Sequence, residues 1–141
     1  MKNRRMKGTA LVLCLLLLST AGAFGVGAEG ESGLTPDSIT NTSVGMERVA
    51  SLKAESEATC HCNILADWIM AEYQMEKLDG NVYRSYGNPV SIYQYDTSVF
   101  ADDRRWTVGS GGTYRLKVYF YEHKDGITKF KGPYYSQSVG L

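Results

Sequence analysis

The sequence predicts an all-β domain, an antiparallel β-sandwich of six to seven short strands. Three observations carry that expectation. From Tyr114 to Tyr121, Tyr114, Leu116, Val118 and Phe120 alternate with Arg115, Lys117, Tyr119 and Tyr121, the period of two that marks a strand with one buried face. Ile69, Ala71, Tyr73 and Met75 alternate in the same way with Met70, Glu72, Gln74 and Glu76. Each run leads into an Asp-Gly pair, Asp79-Gly80 and Asp125-Gly126, which supplies the positive φ angles of a two-residue hairpin turn.

The N-terminus does not share that pattern. Lys2, Arg4, Arg5 and Lys7 form a basic head, Ala10 to Leu18 an apolar run, and Val26-Gly27-Ala28 a small-residue cleavage pattern. That order is a secretory signal peptide over residues 1–28, cut after Ala28 in preference to Ala23, and Cys14 leaves with it. The apolar run falls short of the roughly 20 residues of a spanning helix, so the mature chain is expected to have no membrane span. Residues 29–45 are polar and aperiodic and read as a flexible leader. Residues 46–141 remain as one domain with a modest core.

Within the domain, Met46 to Asn63 is expected to give one or two strands. Ile64, Leu65, Trp68 and Ile69 also sit at helical spacing, in a stretch rich in good helix formers. For residues 64–78, helix therefore competes with strand, and the Asp79-Gly80 signal before Asn81 to Tyr86 favours strand. Phe100, Trp106 and Val108 are expected on one face of a further strand, with Asp102 to Arg105 as a bulge or surface stretch. Ile127 to Lys131 returns after the second hairpin. Gly132-Pro133 breaks or bends it at an edge, because proline cannot donate to the ladder.

"GSGGTYRLKV", residues 109 to 118, resembles the penultimate strand of fibronectin type III and immunoglobulin-like sandwiches: a glycine turn, then a tyrosine opening an alternating strand. The resemblance implies a structural tyrosine corner at Tyr114, its ring buried and its hydroxyl bonded to backbone near the preceding corner. Trp68-Ile69, "EKLDG", "GTYRLKVYFY" and "GPYYSQS", in that order, are also similar to small secreted proteins of Gram-positive bacteria without assigned function. That likeness implies the fold and the compartment and brings no catalytic residue.

Chemistry is sparse. Cys60 and Cys62, two apart on a strand, point to one face and His61 to the other. They read as a local disulfide favoured by secretion, as small buried residues or an intermolecular bridge, or as two ligands of a soft metal. A zinc site would need further Cys or His. A cysteine nucleophile needs an oriented histidine base, and His61 faces away while His123 sits beside a hairpin tip. Glu72, Glu76, Asp102 and Asp103 could pair for glycoside chemistry but read as solvated strand faces. No enzyme, cofactor or metal is expected.

Charge narrows the partners. Residues 1–28 hold four basic residues and no acid, which leaves 11 Lys+Arg against 15 Asp+Glu. Nucleic acid is excluded as a bulk partner, since it demands a basic footprint. Ala58 to Asp103 has two basic and seven acidic residues, Arg104 to Leu141 seven basic and two acidic, a split that complements itself within one domain. All 10 tyrosines lie between Tyr73 and Tyr135. Arg115, Lys117, Tyr119 and Tyr121, joined by Tyr134 or Tyr135, form a candidate stripe for a glycan, cell-wall component or protein. The expectation is a secreted, non-enzymatic binding module released to the extracellular space. Its alternatives are an antibacterial or toxin-like effector and a Cys-x-Cys metal-handling protein.

Overall fold

The computed structural model describes residues 38–141, and among them there is no helix. Seven antiparallel strands form one continuous sheet: β1 (Ile39–Ala50), β2 (Lys53–Asp79), β3 (Val82–Ser85), β4 (Val90–Thr107), β5 (Thr113–Lys124), β6 (Ile127–Tyr135) and β7 (Val139–Gly140). The expected all-β, antiparallel class holds. The sheet curls into a half-barrel, where separate layers were expected.

The signal peptide and residues 29–37 of the expected leader lie outside the described residues. Ile39 to Gly45, also read as leader, are strand instead and pair with Glu57 to Cys62 of β2. Asn41 and Ser43 face water there, and the row of small polar residues hides the alternation from sequence reading. Residues 64–78 belong to β2 and are strand, not helix. The sheet partners decide this, because a pair of flanking strands outweighs helix propensity.

β2 organises the whole sheet. Its first stretch, Lys53 to Cys62, lies between β1 and the C-terminal part of β4, and its second, Trp68 to Lys77, pairs with β5. The register with β4 slips between His61 and Ala66, opposite Val99 and Thr97. There β2 bends, as an inserted bulge makes a strand do. β4 turns with it: Asp96 takes φ 50°, a conformation aspartate tolerates better than most residues. Gln94 then spans the bend, donating to the Ala101 carbonyl at 2.6 Å and accepting its amide at 3.3 Å. Asp102 to Arg105, expected as a bulge or surface stretch, form no bulge: they pair in unbroken register with Glu55 to Ala58, with Asp103 and Arg105 exposed.

The bend closes the first half of the sheet (β1, the start of β2, the end of β4) over the second half. Ala54, Ala58, Ala66 and Ala71 are buried on β2, and their small size leaves room for large rings from its neighbours. Phe100 of the first half meets Phe120 of the second edge-on at 5.9 Å, and Trp106 meets Tyr73 at 6.0 Å. Polar bonds reinforce the closure. Ser38 Oγ donates to Glu122, Lys131 Nζ to the Ile39 carbonyl at 2.9 Å, and Gln137 Nε2 to the Met46 carbonyl at 2.6 Å.

The hairpins sit at the Asp-Gly signals. Asp125 and Gly126 both have positive φ, 50° and 80°, between the partners Lys124 and Ile127. In the β2–β3 turn Gly80 carries it, at φ 60°. Tyr114 is fully buried, and its hydroxyl donates to the Ser110 carbonyl at 2.7 Å, within the glycine turn of residues 109–112.

Candidate functional site

The curl leaves two outer faces, and one is built of aromatic rings. On the second half, register partners across β4, β2, β5 and β6 form a row of Tyr95, Trp68, His123 and Thr128. Two residues along each strand, Tyr93, Met70, Tyr121 and Phe130 form the next row. Strand spacing makes the rows about 15 Å wide and about 7 Å apart. The rings hold one another. Trp68 stacks on His123 at 4.9 Å with 2° between planes, and Tyr93 meets the Trp68 ring at 5.4 Å. Tyr95 stacks along Tyr93 at 6.2 Å, and Phe130 leans on Tyr121 at 5.9 Å. Even so, Tyr95 is 67% exposed, Phe130 66% and Tyr93 46%.

A clamp fixes one end of this platform. Asp67, beside Trp68, accepts Lys124 Nζ at 2.8 Å and the Asp125 amide at 2.9 Å, tying the β5–β6 hairpin to β2. The Lys124 hydrogen bond, then the amide, holds the Asp67 carboxyl below its ordinary value, and Asp67 raises the Lys124 ammonium in turn. Tyr121 is pushed up by desolvation first and by the Glu72 charge second, so its phenol stays a neutral donor.

The sequence-predicted stripe does share this face, but its members differ in kind. Arg115 lies between the rings of Tyr83 and Tyr135, at 3.9 and 4.1 Å, and its Nε donates to buried Glu76 at 2.8 Å. Both faces of its guanidinium are covered, so it acts as a structural cation. Lys117 reaches over Tyr119 at 5.3 Å, and Tyr121 belongs to the platform itself. Tyr135 joins the outer face, whereas Tyr134 packs against Phe120. Trp68, Tyr93, Tyr95 and Phe130 were missed as site residues. The alternation Tyr93-Gln94-Tyr95 carried a signal, but only the pairing with Trp68 puts these rings on one face.

The remaining chemical candidates stay apart. Glu76 is tied to Arg115, and Asp102 accepts the Tyr73 hydroxyl at 3.1 Å and pairs with Arg104. Neither is the solvated strand carboxylate that was expected. Burial, then the Asp102 charge, pushes the Tyr73 phenol far up. A shallow groove of about 420 Å³ on the first half is lined by Glu47, Glu55, Glu57 and Asp103, with Gly45, Met46, Ser56 and Gln137. Among the described residues, no group of three or more His, Cys, Asp or Glu could hold a metal. Cys60 and Cys62 are buried thiols on the inner face, and His61 is exposed on the other. The hydrogen bond from Cys62, then burial, drives the Cys60 thiol strongly upward.

No family model matches the chain, and neither does a curated protein or a solved structure. Among the described residues no helix is long and apolar enough to cross a membrane.

Proposed function

We propose that this chain is a secreted, non-enzymatic interaction module whose ligand surface is the aromatic platform on the outer face of β4, β2, β5 and β6. The observation that carries the reading is the interlocked set Tyr95, Tyr93, Trp68 and His123, with both tyrosines exposed and Trp68 and His123 half-buried, on a domain with a separate core. Apolar rings already fixed in place lose little freedom on binding, the condition for high affinity per contact. An aromatic centre with a polar margin, here Glu72, Gln74 and Lys117 further along the same face, has the anatomy of a protein interface.

Of the ligands considered, a protein surface fits better than a sugar chain. A sugar stacks on an open ring face, but His123 covers one face of Trp68 and Tyr93 meets the ring at 67°. The tyrosines offer hydroxyls and ring edges, the adaptable contacts of tyrosine-rich binding loops. Secretion rests on the basic, apolar and small-residue order of residues 1–28. Kinship with immunoglobulin-like sandwiches is part of the proposal too, supported by the Tyr114 bond to its corner carbonyl.

The test is retention of the domain on three probes: intact bacterial cells, the same cells stripped by protease, and purified cell walls. Retention on intact cells, lost on stripping and lost in Trp68→Ala, supports a protein ligand at this face. Retention on purified walls points to a glycan, and retention unaffected by Trp68→Ala refutes the platform.

A further inference from the structure

We propose that Cys60 and Cys62 are a modification site, joined by an intrastrand disulfide that is introduced before β1 closes over them. The two side chains share the inner face of β2 and hydrogen-bond to one another. In a flat strand, residues two apart sit about 6.5 Å from Cα to Cα, at the upper limit for bridging. Cys62, however, is not in a flat strand. On its β1 side the register slips between Ile39 and Asn41, and on its β4 side it slips between His61 and Ala66. On the β1 edge Cys62 still pairs with Ile39, the extra residue there being Thr40 of β1. On the β4 edge regular pairing stops after His61 and resumes at Ala66, which frees the backbone of β2 on that side to pucker and bring the sulfurs together.

Burial sets the order of events. Cys62 lies opposite Ile39, and Cys60 lies opposite Thr42 of β1 and Phe100 of β4. The start of β1 is pinned over them by Ser38 on Glu122, Lys131 on the Ile39 carbonyl, and the Asn63 amide on the Ser38 carbonyl at 2.8 Å. A bulky oxidant does not reach sulfurs held in this way, so the bond forms on the open chain. One cysteine thiolate attacks an external disulfide, a small-molecule or protein disulfide of the export route. That S–S bond breaks and its leaving sulfur takes a proton. The second cysteine then attacks the mixed disulfide. The Sγ–Sγ bond is formed by loss of two electrons and two protons from the pair, and the external disulfide becomes two thiols.

The in-cell part of this inference rests on the export reading above, and the refolding experiment does not. The full chain is unfolded, refolded with glutathione disulfide, treated with a thiol-blocking reagent and digested. The fragment holding both cysteines is then weighed. A fragment lighter by two hydrogens and without blocking groups supports the disulfide, and one carrying two blocking groups overturns it. Reduced, folded protein should oxidise at least tenfold more slowly than the unfolded chain, and equal rates would overturn the order proposed. The same fragment from protein collected in the culture medium gives the cellular answer. Protein absent from the medium but oxidised on refolding sinks export and leaves the disulfide standing.

Discussion

The two outer faces of this sheet share two strands, β2 and β4, and differ in character. On the first half, Glu47, Glu55, Glu57, His61, Asp103 and Arg105 point outward, with Arg105 set 3.3 Å from Glu55 and Val99, opposite His61, as an exposed apolar residue among them. On the second, β2 and β4 turn outward Trp68, Met70, Tyr93 and Tyr95 instead. A charged outer face is what solubility alone demands. Aromatic residues also favour strands because they pack across pairs, but that preference applies to both halves. The contrast therefore marks the second face as specialised, and the bulge at residues 62–65 of β2 is where one character gives way to the other.

The strongest way to break the comparison is to remove the seam that makes two faces out of one sheet. Phe100→Ala takes away the ring that meets Phe120 and leaves a cavity between the halves. It should destabilise the domain by about 3–5 kcal/mol, as large-to-small changes of buried rings do. Denaturant unfolding measures this, and a loss under 1 kcal/mol would mean that the halves do not depend on that contact.

Binding should then divide along the same line. Trp68→Ala opens the stack on His123 and the edge contact with Tyr93, and should weaken retention on intact cells about 30-fold, the ~2 kcal/mol of an interface hot spot. Glu57→Ala and Arg105→Ala on the charged face should leave retention unchanged. Equal losses on both faces would erase the distinction.

Arg115 sharpens the boundary of the site. Truncating it leaves Glu76 buried without its cation, so Arg115→Ala should cost about 1–3 kcal/mol of stability. Retention should stay unchanged in protein that remains folded. The opposite pattern, normal stability with lost retention, would restore Arg115 as a ligand contact.

How far these features were legible follows from what each depends on. The strand Tyr114–Tyr121 and the Asp125-Gly126 turn are local, written in alternation and in the backbone freedom of two residues, and they could be read directly. The first part of β1, Ile39 to Gly45, could not, since Thr40, Asn41 and Ser43 are compatible with a loop and become strand only by pairing with β2. The fate of Arg115 was hidden for a related reason. Its neighbours Tyr83 and Tyr135 come from β3 and β6, and only the topology brings them to either side of one guanidinium. The platform needed still more, because it spans four strands and depends on a register that Trp68 shares with Tyr95 on one edge and His123 on the other.

The smallest expected effect concerns the clamp that holds the platform's end. Asp67 has a folded-state pKa below its unfolded one, owing first to Lys124 and then to the Asp125 amide. Its contribution is fully present above the unfolded carboxylate value, about 3.9, and is lost as pH falls through the folded value. Lys124 is raised, so its share is present below about 10.4 and fades as pH rises through its own folded value. Hydrogen exchange at the Asp125 amide reads both edges. Corrected for its intrinsic pH dependence, the rate should be lowest between the two limits and climb below about pH 4. Asp67→Asn should raise it in the middle of the range and flatten the acid limb, while the exchange of Leu116, deep in β5, stays as it was. If the Asp125 amide exchanges alike in both proteins, the hairpin tip is held by its Asp-Gly turn alone, and the aromatic face owes nothing to that carboxylate.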